Sequence, residues 1–388
     1  SAVAELAFRL SVICTIRGKC IIPEVLSEYD PDTFYWPASP SSGGSFDEPN
    51  DPNRGDVHYW EVWHGNKPFS EYRKYFFRYA SEFGFQSFPS IKTLETVTDD
   101  PKELNPFSYV MEKHQRNYGG NGKIAKYMQA AYRYPENFSD FVYASQLLQA
   151  DGIRYGVEHY RRNRGRCMGA IYWQLNDCWP VISWSSIDYY GRWKALHYYA
   201  KRFFAPVMLS CEEQSWMTVE ADMNRQHFEF EKSIRLNVTN ETLDAHRVLV
   251  KWAVRKTDAT ILREEEQWLE VPALSAVWMD KVELPQIDCF NEYVSYEAWE
   301  NDQIISQGTV IFSYPKYFHY LNPGLTVRVD GDEIVVKAEA YAKSVEIRNE
   351  NDDLILEDNY FDMNAGEYRV KILDGKPDGL KVRSVYDI

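Results

Sequence analysis

The residues with the clearest chemical use sit at the ends of four short apolar or aromatic stretches. One stretch, Arg78-Tyr79-Ala80-Ser81-Glu82-Phe83-Gly84-Phe85-Gln86-Ser87, reads as a strand that runs into a glycine and stops, with Glu82 at its end. The neighbours of Glu82 are aromatic and apolar. A carboxylate in such company is costly to bury unless a donor or a cation pairs with it. The other stretches end in Trp36, in His64, and in Trp173 followed by Asn176 and Asp177. The set holds one carboxylate, one imidazole to partner it, and two flat aromatic faces. That combination suits a sugar, with indoles against the ring and amide or carboxylate groups on the hydroxyls. Each residue also has a plainer reading. Glu82 is then a strand-end carboxylate facing water, Trp36 and Trp173 fill a core, His64 lies on the surface, and Asn176 and Asp177 form a turn.

The elements that must position these residues follow from periodicity. Val3, Leu6, Leu10 and Ile13 recur at helical spacing. Pro23 and Glu24 open a further turn. Residues 33–37 read as a strand, residues 38–55 as a loop long enough to be a lid or rim, and residues 57–63 as a second strand. On that strand His58, Trp60, Val62 and His64 share one face by the two-residue period. A short aromatic helix over 69–77 leads to the Glu82 strand. Residues 90–165 read as helical, ending in a long helix over 141–160. Residues 169–177 form a fourth strand whose near-continuous apolar body suits burial on both faces, and a helix over 189–204 follows. Alternating β and α elements imply a parallel sheet or a (β/α) barrel. In such a barrel the reacting groups stand at the C-terminal ends of the strands.

After Ala205-Pro206 the pattern changes to alternating strands with turn residues between them. They are expected over 216–223, 229–240, 246–255, 267–274 and 291–299. A second set covers 325–330, 333–340, 344–349, 367–373 and 381–386, with an Asp330-Gly331 hairpin turn. The expected fold is multi-domain, α/β plus all-β, with domains over 1–205, 206–314 and 315–388.

Bulk properties narrow the function. A formal net charge of -15 over 388 residues argues against nucleic acid and anionic membranes as partners. No apolar run is long enough to cross a bilayer. The N-terminal stretch is only faintly signal-like, because Glu5 and Arg9 interrupt it. The six cysteines show no metal or disulfide spacing, which favours a reducing, cytoplasmic setting. No metal or other cofactor is expected. Gly119-Gly120-Asn121-Gly122-Lys123 lacks both the Ser or Thr and the preceding strand of a phosphate loop, and reads as a turn between helices.

Four ordered motifs carry a resemblance. They are Tyr35-Trp36-Pro37-Ala38-Ser39-Pro40-Ser41, Val62-Trp63-His64-Gly65, Ser81-Glu82-Phe83-Gly84-Phe85-Gln86-Ser87, and Tyr172-Trp173-Gln174-Leu175-Asn176-Asp177 with the run from Ser183 to Lys194. The chain resembles a β-mannosidase of glycoside hydrolase family 2. The resemblance implies the C-terminal half of a (β/α)8 TIM barrel followed by two immunoglobulin-like β-sandwich domains. It implies Glu82 as nucleophile of a retaining exo-β-mannosidase, which forms a covalent glycosyl-enzyme on a terminal β-D-mannoside of an oligosaccharide or glycoconjugate. His64 is the expected donor to Glu82. Trp173 would stack on the sugar, Trp36 would line the rim, and Asn176 and Asp177 would contact hydroxyls.

A retaining glycosidase also needs an acid/base carboxyl about 5 Å from the nucleophile. In the family this is the Glu of an Asn-Glu pair ending the fourth barrel strand. Here Asn-Glu occurs only at Asn240-Glu241, Asn291-Glu292 and Asn349-Glu350, all in the β-rich half. The expectation is therefore a C-terminal part that begins beyond the acid/base and is inactive alone. It would be stabilised by the missing N-terminal part or by self-association. The alternatives are another family 2 glycosidase, acting on galactosides, glucuronides or glucosaminides, and a non-catalytic carbohydrate-binding or structural fragment.

Overall fold

The computed structural model describes residues 17–44, 47–219 and 229–388. The helix expected from Val3 to Ile13 lies outside the described residues, as does the end of the strand expected over 216–223. A helix over Ile22–Tyr29, with Pro23 in its first turn, opens the described chain.

The first half is built on three short parallel segments. β1 (Val57–His58) pairs in parallel with β2 (Ala80–Glu82), His58 lying opposite Glu82. On the other side of β2, Ala80 N donates to Gly169 O at 3.0 Å, Ile171 N to Ala80 O at 2.8 Å and Trp173 N to Phe83 O at 2.8 Å. Three expectations change here. Residues 33–37 form no strand, since Pro37 and Pro40 remove ladder donors and no ladder runs beside them. The expected strand over 57–63 ends at His58, because the chain turns at Trp60, whose carbonyl accepts from His64 N at 2.6 Å. Residues 169–177 pair only through isolated bridges and then fold into a loop.

The helices that cover this sheet include a single long one over Phe138–Arg162, capped by the Asn137 side chain, which accepts from Asp140 N at 3.0 Å. Most of its residues are buried. Gly156 lets it lie against β2, for a Cβ there would stand 2.9 Å from the Phe83 ring. The last helix is Ala195–Phe203, shorter than expected. Residues 188–192 instead form a turn in which the Asp188 carboxylate accepts from the backbone N of Tyr190 and Arg192, each at 3.0 Å.

The second half holds two β-sandwiches. In the first, β3 (Val207–Gln214), β4 (Ser233–Asn240), β7 (Ser275–Trp278) and β8 (Val282–Glu283) form one sheet. β5 (His246–Lys256), β6 (Ile261–Val271), β9 (Glu292–Glu300) and β10 (Gln303–Ile311) form the other. The expected strand at 216 is a single helical turn, Trp216–Thr218, and the strand that precedes it is β3. The second sandwich sets β11 (Thr326–Asp330), β12 (Glu333–Ala338), β16 (Gly366–Asp374) and β14 (Ile355–Leu356) against β13 (Ala342–Arg348), β15 (Phe361–Met363) and β17 (Lys381–Arg383).

Packing ties these parts together. One core runs from Trp63, Phe83 and Phe85 through Leu147 and Ile153 of the long helix to Val336, Val345 and Phe361 of the second sandwich. The first sandwich has its own core around Val238, Val250 and Trp252. It is fastened to the first half by an ion pair, Arg73 Nη2 to Glu213 Oε2 at 2.7 Å, with the Tyr155 hydroxyl also donating to Glu213. Among the described residues no helix is long and apolar enough to cross a membrane.

Candidate active site

Glu82 ends β2 with its side chain 23% exposed, so solvent or a ligand reaches a carboxylate otherwise set among aromatic groups. Trp60 Nε1 donates to Glu82 Oε1 at 3.0 Å. His58 Nδ1 stands 3.4 Å from Glu82 Oε2. Both partners follow from the β1–β2 pairing, which sets His58 opposite Glu82 and brings the chain past it at Trp60. His64, the donor expected from sequence, does not fill that place. Its ring packs on Trp60 at a centroid distance of 5.2 Å, behind the indole that reaches Glu82. Loss of solvent there, with the Lys123 ammonium second, holds the His64 imidazole below its ordinary value.

A second carboxylate, Asp56, organises the rim. It accepts from Ser39 Oγ and Ser81 Oγ, each at 2.5 Å, from Trp36 Nε1 at 3.0 Å and from Ser41 N at 2.9 Å. Burial by itself would raise the Asp56 carboxyl, but these donors outweigh it and hold the group below the usual carboxylate value. Trp36 is thus fixed to the rim by its N–H and keeps 39% of its surface exposed.

Trp173 lies on the third segment, next to the residues that follow Glu82, and is 45% exposed. Gly84 permits that approach. A Cβ on Gly84 would stand 2.4 Å from the Trp173 carbonyl oxygen and 2.9 Å from the Trp60 ring. The Trp173–Gln174 peptide bond is cis. Beyond it, Asn176 is exposed, whereas Asp177 is buried and points into its own loop. The Asp177 carboxylate accepts from Ser183 Oγ at 2.7 Å, Ser185 Oγ at 2.5 Å and Gln174 Nε2 at 3.2 Å. Glu82 and Trp36 therefore belong to one polar network through His58, Ser39 and Asp56, His64 packs on Trp60 beside it, Trp173 flanks it, and the Asp177 carboxylate is committed to holding its loop together.

Cavities also lie away from Glu82. One of about 280 Å³ is lined by Phe69, Tyr127, Tyr155 and Tyr314 where the long helix meets the first sandwich, and Glu82 is not among its lining residues. Glu82 stands instead on an open face. A carboxylate there, held by one N–H and faced by one imidazole, is equipped for nucleophilic attack on an electrophilic carbon.

The chain is similar to known proteins. Residues 232–317 match the family model of the mannosidase Ig/CBM-like domain, and residues 320–388 match that of an Ig-fold domain of mannosidases. Beta-mannosidase B of Thermothelomyces thermophilus is 30% identical over 395 residues, covering 94% of this chain and 45% of that protein. Beta-mannosidase B of Aspergillus terreus is 29% identical over 92% of this chain and 43% of that protein. Among solved structures, the β-D-mannosidase of Dictyoglomus thermophilum superposes with a TM-score of 0.81 at 27% identity, over 95% of this chain and 44% of that one. An exo-chitosanase of Amycolatopsis orientalis shares the fold at a TM-score of 0.56 and 17% identity. These likenesses support a kinship with the glycoside hydrolases of family 2. Within that family the chain is similar to the C-terminal part of the β-mannosidases. The chain spans less than half the length of the relatives it matches.

Proposed function

We propose that this chain supplies the nucleophile half of a retaining exo-β-mannosidase. Residues 1–205 then correspond to the second half of a (β/α)8 barrel, residues 206–314 and 315–388 being the two immunoglobulin-like domains. The observation that carries the reading is Glu82 itself, a reachable carboxylate at the end of a parallel strand with Trp60 Nε1 on one oxygen and His58 on the other. Glu82 attacks the anomeric carbon, the C1–O bond to the aglycone breaks, and a glycosyl ester forms. Water then attacks C1 and returns Glu82 as a carboxylate. Trp173 and Trp36 offer exposed indole faces to the sugar, and Asn176 offers an amide. The scattered free thiols favour a reducing, cytoplasmic setting.

The aglycone oxygen needs a proton from a second carboxyl. The three Asn-Glu pairs of this chain stand at the end of β4, the start of β9 and just after β13. None is on the Glu82 sheet. The acid/base therefore comes from outside these residues, and the chain alone turns over unactivated mannosides poorly. The segment 168–175 presents Met168, Ile171 and Leu175, all exposed, as the edge on which the remaining barrel strands seat.

The test is a panel of aryl β-glycosides on the full-length protein and its Glu82→Gln variant. The reading predicts a preference for the mannoside and a loss of roughly 10⁴-fold or more in the variant. Equal activity in the variant overturns it.

A further inference from the structure

Asp56 has no part in the chemistry described so far, yet it ties the rim loop to the strands that carry Glu82. From the loop its carboxylate accepts Ser39 Oγ at 2.5 Å, Ser41 N at 2.9 Å and Trp36 Nε1 at 3.0 Å. From β2 it accepts Ser81 Oγ at 2.5 Å, and Ser81 is the residue before Glu82. A carboxylate offers about four acceptor sites, and these four donors occupy them. Asp56 is only 7% exposed, so water does not compete for those places. Its backbone is fixed as well. Asp56 N donates to Ser41 O at 3.1 Å, and the next residue, Val57, lies opposite Ala80 in the β1–β2 pair.

The Trp36 indole is held at both ends by this arrangement. Its N–H is on Asp56, and its far edge lies against backbone. A Cβ on Gly55, which has φ +62°, would stand 3.1 Å from Trp36 Cζ2 and 1.8 Å from Ser41 O. A Cβ on Gly43 would stand 3.6 Å from Trp36 Cη2. The side chain nevertheless keeps 39% of its surface exposed. An exposed indole fixed before the ligand arrives loses little rotamer freedom when a sugar stacks on it.

We propose that Asp56 is a positioning residue for substrate binding, which anchors the Trp36 N–H beside the nucleophile strand and so holds the indole face ready for the sugar of a β-mannoside. This rests on Glu82 being the nucleophile and on Trp36 meeting the sugar. Stacking on Trp36 acts on the bound mannoside and on its transition state alike, because the indole takes no part in bond making. Its loss therefore raises KM and leaves kcat nearly unchanged. A carboxylate that merely stapled the loop, with no consequence for the ligand, would move stability and neither constant.

The experiment is steady-state kinetics of a β-mannoside on the full-length enzyme. Wild type is compared with Trp36→Phe, Asp56→Ala and the double variant. W36F keeps a ring and removes the N–H, whereas D56A removes the acceptor and keeps the indole. Each is expected to raise KM about tenfold with kcat within about twofold of wild type. The double variant is expected to be no worse than D56A alone, since both changes break the same anchor. If D56A does not fold, Asp56→Asn, which weakens the same charge-assisted bond, takes its place in the cycle. An unmoved KM in the folded variants, a fall in kcat in place of the rise in KM, or changes that multiply in the double variant overturn the proposal. Labelling of wild-type Glu82 with a 2-fluoro mannoside separates the two levels. Labelled Glu82 with an unmoved KM removes only the anchor, whereas unlabelled Glu82 removes the nucleophile reading beneath it.

Discussion

The indole N–H of Trp60 meets the carboxylate of Glu82 at 3.0 Å, and the same indole carries the ring of His64 on its other side. Trp60→Phe keeps an aromatic ring between His64 and Trp184 and removes only the donor. A hydrogen bond to a charged group contributes about 1.5–3 kcal/mol. The expected result is a fall in kcat/KM of about ten- to hundredfold in the full-length protein, with little change in Tm. Steady-state kinetics beside thermal unfolding checks it, and unchanged kcat/KM contradicts it.

Gly84 is where strand, loop and indole converge. A methyl group there meets the Trp173 carbonyl at 2.4 Å, and backbone cannot yield as a flexible side chain does. Gly84→Ala should therefore force β2 and the 168–173 segment apart. The expected cost is about 1–3 kcal/mol of stability, with loss of activity larger than that of a surface Gly→Ala control at Gly122, where a Cβ meets nothing within 4 Å. Denaturant melts of the two variants decide the matter.

Arg73, half-buried, and Glu213, buried, fasten the first sandwich to the first half. Burial would push the Glu213 carboxyl up, but the Arg73 guanidinium and the Tyr155 hydroxyl reverse this and hold it below its ordinary value. The sign follows from linkage. The contribution is present above the unfolded value near 4.5 and is lost as pH falls through the lower folded value. Arg73→Met leaves the carboxylate buried without its cation, which costs about 3–5 kcal/mol. Acid unfolding of R73M should set in at higher pH than in wild type.

Lys194 gives the opposite window. Burial pushes its ammonium down to about 8 from 10.5, with Asp177 and Asp188 opposing the shift. Between those values the unfolded chain holds the proton more than the folded one, so stability rises with pH across the window. Lys194→Met should flatten that rise. Urea melts at intervals from pH 7.5 to 10.5 measure it, and parallel curves for the two proteins refute it.

The row Met168, Ile171 and Leu175 leaves apolar surface on an open edge. The 388-residue chain alone should self-associate or bind an apolar dye, and become monodisperse when produced with the segment that precedes it in the relatives. Light scattering on both preparations tests this, and a dye-silent monomer from the isolated chain counts against it.

Glu82 stood out as a candidate because a carboxylate ends an aromatic strand two residues before Gly84 in a motif that resembles the family, whereas the stretch alone also allowed a plain strand-end carboxylate facing water. Its partner was legible only as a face. The two-residue period set His58, Trp60 and His64 on one side, but the turn at Trp60 that retires His64 is closed by backbone bonds to its carbonyl, which leave no mark in residue type. Asp56 had no signal of its own, as one of several acidic residues in an irregular loop. It takes its role from Ser81 and Trp36, which lie 25 and 20 residues away along the chain. Residues 33–37 carried strand-forming side chains without a strand to pair with. β3 was missed for the converse reason. Its residues from Val207 to Cys211 are buried in succession, so burial along this strand does not alternate.

The most direct measurement is the mass of the peptide carrying Glu82 after the full-length protein is inactivated with a 2-fluoro β-mannoside and digested with protease. The account predicts one added fluoromannosyl group, mapped by fragmentation to the Glu82 side chain. A label on any other residue, or complete inactivation with residue 82 unmodified, contradicts it.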